Sequence, residues 1–167
     1  TLFLNSCMSS MGVSSVSGGS VEDEVKISSY HSEDKKEAIE LVCLPSKYDE
    51  DFITVYLWNN TNERVYVEWE NARCNSGKVI FSDDRRITMN NAKPDEAISP
   101  HSTSLTRKIT SMNNIGSNYI MPLFSIKTIQ NGTDENIYLK IPVRFADGSV
   151  EEYRFIIRLY WKAETLN

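Results

Sequence analysis

The sequence predicts an all-β, antiparallel domain. Three observations carry that expectation. Residues 52–59 and 64–70 alternate apolar and polar side chains with a period of two, the mark of a half-buried strand. Residues 136–161 repeat the pattern on both sides of Asp147-Gly148, a strong short-range hairpin signal. The chain also carries 8 Tyr, 6 Phe and 3 Trp with many Val, Ile and Thr, residues that fit a pleated surface.

At 167 residues the chain is long enough to bury one core. With 40% hydrophobic and 25% charged residues it has a globular composition rather than a disordered one. Its net charge of −5 argues against a nucleic-acid partner, and against a membrane partner bound through bulk charge. No apolar run approaches the ~18–20 residues that span a bilayer.

Residues 1–7 read as the end of a signal peptide. Leu4-Asn5-Ser6-Cys7 resembles the lipobox of bacterial lipoproteins, in which the chain is cut before a cysteine that then carries acyl chains. The resemblance implies lipidation of Cys7 and a membrane anchor that no segment here supplies. Met8, not Asp, follows the cysteine, which resembles the outer-membrane sorting class. Residues 8–21 are rich in Ser and Gly and carry no charge, so a flexible tether is expected there. Residues 22–167 form the β-domain.

Val25, Lys26 and Ile27 make a short β-like run. His31, Glu33 and Asp34 form a candidate metal-ligand set, set against a solvated loop. Ile39, Leu41 and Cys43 alternate and favour a strand that Pro45 ends. Ile53, Val55 and Leu57 then face one way, with Tyr56 and Trp58 on the other face. Val65, Val67 and Trp69 also face inward. Odd numbers opposite odd numbers require an odd loop, so residues 60–62 are expected to join a first hairpin with Asn62 left-handed. That register pairs Leu57 with Val65 and sets Trp58 opposite Arg64. It gathers Tyr56, Trp58 and Tyr66 into one outward aromatic face.

Asn75-Ser76-Gly77 is a turn and residues 78–82 a short strand. Residues 87–89 are a weak strand candidate. Pro100 interrupts 98–105, with a strand resuming at 104–109. Residues 119–129 are expected to hold a strand, and Asn131-Gly132 a turn. In the last hairpin Ile137, Leu139, Ile141, Val143 and Phe145 face inward with Tyr153, Phe155, Ile157, Leu159 and Trp161. The same parity requires a three-residue loop, Ala146-Asp147-Gly148, with Gly148 left-handed. A loop centred on Gly148 would instead set Arg144 opposite Glu152, which charge favours; turn chemistry decides for the first.

Trp69-Glu70-Asn71-Ala72, then Gly77-Lys78-Val79-Ile80, then Ile98, Pro100 and Ser102, then Ile109, resemble small bacterial lipoproteins with an immunoglobulin-like domain. His101 stands where that family carries Gly. The resemblance implies an immunoglobulin-like antiparallel β-sandwich of about 7–9 strands behind the tether, and an envelope address. It carries no catalytic residue across.

No constellation rises to a catalytic site. His101-Ser102 lie at a Pro bend, with no Gly-x-Ser-x-Gly elbow. Glu68, Glu70, Glu151 and Glu152 supply carboxylates for glycoside chemistry, against the commoner role of solvated strand acids. Asp83-Asp84 and Asp49-Glu50-Asp51 lack the order of a calcium loop. Cys43 and Cys74 are either a disulfide, closing a loop of ~30 residues worth roughly 3 kcal/mol, or two core thiols. Lys140, Arg144, Arg154 and Arg158 share a face that can meet acidic lipid or polysaccharide, or simply stay solvated.

The reading is therefore a non-enzymatic, lipid-anchored envelope protein with no cofactor or metal, binding or scaffolding another envelope component. The alternative is a carbohydrate- or peptide-binding module using Tyr56, Trp58 and Tyr66.

Overall fold

In the strands at 39–44, 53–59, 135–144 and 150–161 the apolar inward positions are odd-numbered, and their burial shows where the core lies. Ile39, Leu41, Cys43, Ile53, Val55, Leu57, Ile137, Leu139, Ile141, Val143, Tyr153, Phe155, Ile157 and Leu159 are all buried in a single cluster. A computed structural model describes residues 8–13, 21–30, 35–44, 46, 48–83 and 92–163, with backbone alone for 8–13, 21–30 and 162–163.

The strands are β1 (Met8–Val13), β2 (Val21–Tyr30), β3 (Ile39–Leu44), β4 (Ile53–Asn59), β5 (Val65–Val67) and β6 (Arg73–Cys74). They continue with β7 (Gly77–Phe81), β8 (Glu96–Ile98), β9 (Arg107–Ser111), β10 (Glu135–Arg144) and β11 (Val150–Ala163). Among the described residues one short α-helix, α1 (Ile126–Gln130), and two 3-10 turns, Trp69–Asn71 and Met112–Asn114, interrupt them. Every strand pair is antiparallel, so the expected all-β class holds. Eleven strands stand among the described residues, more than expected, because β5, β6 and β8 are fragments of two or three residues.

Hydrogen bonding runs β1-β2-β11-β10-β6-β7-β9-β4-β3, with β5 on β10 and β8 on β5. β7 is the crossing strand. Its Gly77 pairs with Cys74 and its Lys78 with Arg73, while Val79, Ile80 and Phe81 pair with β9. Asn75 (φ 47°) and Ser76 (φ 68°) form the two-residue turn before it, both left-handed. Gly77 admits no side chain, since a Cβ there would stand 2.4 Å from Ser111 Oγ.

The last hairpin matches the parity expectation. Arg144 pairs with Val150, Phe145 N donates to Ser149 O (2.8 Å), and Gly148 lies at φ 84°. The loop is therefore Ala146-Asp147-Gly148. Turn chemistry prevails over the charge pairing of Arg144 with Glu152.

The first hairpin does not form. β4 pairs with β3 and β9, and β5 with β10 and β8, so Leu57 is not opposite Val65 and Trp58 is not opposite Arg64. Alternation fixes which face a residue takes but not which strand lies beside it. Asn59 redirects the chain. Its buried amide donates to Glu63 O (2.8 Å), Ser99 O (3.1 Å) and Ile98 O (3.2 Å), and its Oδ1 accepts from Thr61 N and Oγ1. This side-chain turn leads out of β4 toward β5. Asn62 is not left-handed.

Residues 119–125 are irregular and α1 follows, in place of the expected strand. Ser125 caps the helix by accepting from Thr128 N, and Glu50 Oε1 accepts from Ile126 N (2.7 Å). Asn131-Gly132 is a turn, with Gly132 at φ 89°. Within the segment expected as a tether, Met8–Val13 runs as β1 along β2, and residues 14–20 lie outside the described residues. The strand candidate at 87–89 also lies outside them.

Candidate functional site

Several expected site residues fall outside the described residues: Cys7, the His31, Glu33 and Asp34 set, and Asp84. Cys43 and Cys74 are both buried thiols that no disulfide joins. They stand on different strands of the path, Cys43 opposite Val55 and Cys74 opposite Leu139, each packed in the core. Burial pushes both thiols up, Cys74 to about 12 and Cys43 further. Such groups do not act as nucleophiles near neutral pH.

The Tyr56, Trp58 and Tyr66 face is divided. Tyr56 and Trp58 lie on β4, paired across to Val42 and Glu40. Tyr66 lies on β5 under Arg144, whose guanidinium stands 5.0 Å from the ring centroid. That face depended on a β4-β5 pairing that does not exist.

The loop and strand acids are staples. Asp49 Oδ1 accepts from Asp51 N and Phe52 N, and its Oδ2 pairs with Lys108 (2.9 Å). The Glu50 carbonyl accepts from Leu123 N (2.7 Å). Glu68 and Asp95 both pair with Arg144 at 3.1 Å. His101 is exposed, and its Nε2 lies 2.7 Å from Asn62 Oδ1, while Ser102 O accepts from Asn59 N. Lys35 Nζ donates to Ser149 Oγ, but the same ammonium is paired with Asp147 (3.5 Å) and stands over Phe145. These contacts fasten the hairpin loop to Lys35. Among the described residues no group of three or more His, Cys, Asp or Glu is placed to hold a metal ion, and no helix is long and apolar enough to cross a membrane.

One charged surface is assembled by register. Lys78 on β7 lies opposite Arg73 on β6, Arg73 opposite Lys140 on β10, and Lys140 opposite Arg154 on β11. Directly opposed residues point to one face. Tyr138 sits beside this row, opposite Ile156, and is 54% exposed. Glu70 pairs with Lys78 (2.5 Å), and Glu152 with Lys140 (3.4 Å) and Arg154 (3.0 Å). Arg73 donates to two carbonyls, Glu70 O (3.1 Å) and Ala72 O (2.9 Å). The hydrogen bond from Lys78 and then that from Lys93 N–H hold the Glu70 carboxyl below the usual range.

Only Lys140 and Arg154 in this row were foreseeable as neighbours. Arg144, expected beside them, is tied to Glu68 and Asp95 instead. Arg158 is on the same face, one row beyond Tyr138, and pairs with Asp134. No protein-family model, curated protein or solved structure matches the chain.

Proposed function

We propose that this chain is a non-enzymatic, lipid-anchored component of the bacterial cell envelope, attached through Cys7 to the outer membrane. Its β-domain is an immunoglobulin-like sandwich that binds or scaffolds another envelope component. The observation that carries the reading is Leu4-Asn5-Ser6-Cys7 followed by an uncharged stretch as far as Glu22. Acyl chains on Cys7 supply a membrane affinity that the protein surface, with its net charge of −5, does not.

Two features support the sandwich. The inward faces of β3, β4 and β9 share one core cluster with those of β10 and β11. His101 lies at φ 49°, the left-handed region that favours the Gly found at this point of the Pro corner in the family it resembles.

Palmitate labelling tests the anchor. Expressed behind a complete signal peptide in a bacterial host, the wild type incorporates labelled palmitate and Cys7→Ser does not. Globomycin causes the uncut form to accumulate. An unlabelled wild type, or equal labelling of Cys7→Ser, overturns the reading.

A further inference from the structure

The row Lys78, Arg73, Lys140 and Arg154 crosses four adjacent strands on one face. Adjacent strands are ~4.8 Å apart, so the four positions form a line of about 14 Å. Two carboxylates among the described residues, Glu70 and Glu152, pair with these four cations. The line therefore keeps a local excess of two positive charges on a chain of net −5.

Three of the four cations are accessible, and Arg73 is half-buried between them. The side chains of Lys78, Lys140 and Arg154 are 46%, 45% and 67% exposed. Ion pairs this exposed hold their partners weakly and exchange them for a competing anion. Tyr138 borders the line with its ring open to solvent, next to Ile156. An exposed tyrosine offers an apolar body and a polar tip, which suits the C–H face and hydroxyl rim of a pyranose.

We infer that this face binds a linear acidic polysaccharide, a chain of uronate sugars laid along the cation row with one ring against Tyr138. A 1,4-linked uronate chain presents one carboxylate per sugar, a one-dimensional series of negative charges to lay along a one-dimensional series of cations. Arg158 and Arg144 on the same face are each tied to carboxylates of their own, so the excess charge lies in one row, which fits a linear polyanion better than a bilayer. A bilayer presents its charge in two dimensions and would be met by a broader basic surface.

The inference deepens the binding role of the proposed function and is independent of the anchor. The test is affinity electrophoresis of the Cys7→Ser chain through gels containing polygalacturonate, neutral dextran or polyglutamate, with co-sedimentation on phosphatidylglycerol vesicles in parallel. Polygalacturonate is expected to retard the chain, dextran not to, and added salt to weaken the retardation. Arg154→Glu and Tyr138→Ala are each expected to weaken retention at least tenfold. Leu105→Ala, an exposed change elsewhere, is expected to leave it intact. Absence of retardation overturns the inference. So does equal retention by polyglutamate with Tyr138→Ala unaffected, and so does binding to vesicles alone. Palmitate labelling is read separately, so failure of the anchor and failure of this site are distinguishable.

Discussion

Replacing Asn59 by Ala removes the side chain that turns the chain out of β4. The amide group serves three carbonyls with two N–H hydrogens, and Oδ1 accepts from Thr61 N and Oγ1. That amounts to about four hydrogen bonds at a net 0.5–1.5 kcal/mol each, with the sum limited by water reaching the half-buried ones. The bond to Ile98 O is buried, and water does not replace it. A loss of about 3 kcal/mol follows. With a urea m-value near 2 kcal/mol/M, the unfolding midpoint falls by roughly 1.5 M. Equilibrium urea unfolding followed by tryptophan fluorescence measures this. Were β4 and β5 a simple hairpin, Asn59 would be an ordinary strand end, with an effect within about 0.5 kcal/mol. A loss below about 1 kcal/mol refutes the crossing geometry.

Two further outcomes are expected. In a Cys7→Ser background, a thiol reagent at pH 8 leaves native Cys43 and Cys74 unmodified, and both react in guanidinium without reductant; if neither reacts on unfolding, they are bridged. Thermal stability is flat from about pH 5 to 8 and declines below about pH 4. Glu70 and Asp147 are held below the usual carboxylate range by Lys78 and by the Ser149 hydroxyl, so their contribution is complete above the unfolded value and lost as pH falls through the folded one. A melting temperature that rises between pH 5 and pH 3 contradicts that sign.

Much of the core was legible because burial in a sheet follows a period of two. Ile39 through Cys43, Ile53 through Leu57 and the β10-β11 hairpin all follow it. The Ala146-Asp147-Gly148 loop was legible for the same reason, since parity excluded the alternatives of even length. Partner choice was not legible. The edges of β4 are taken by β3 and by β9, which lies some 50 residues further along the chain, and no local pattern encodes that. α1 was missed because its stability comes from Ser125 and from the distant Glu50 rather than from its five residues. Half of the cation row, Lys140 and Arg154, was legible from the last hairpin, and the other half, Arg73 and Lys78, was not. β6 is two residues long, and Arg73 becomes a neighbour of Lys140 only through register.

The surface proposed to take an acidic polysaccharide is the β7-β6-β10-β11 face. Amide chemical-shift mapping with an oligogalacturonate tests it most directly. Saturable shifts centred on Arg73, Lys78, Tyr138, Lys140 and Arg154 that weaken as salt rises are expected. Shifts centred on Tyr56 and Trp58, or none at all, would contradict it.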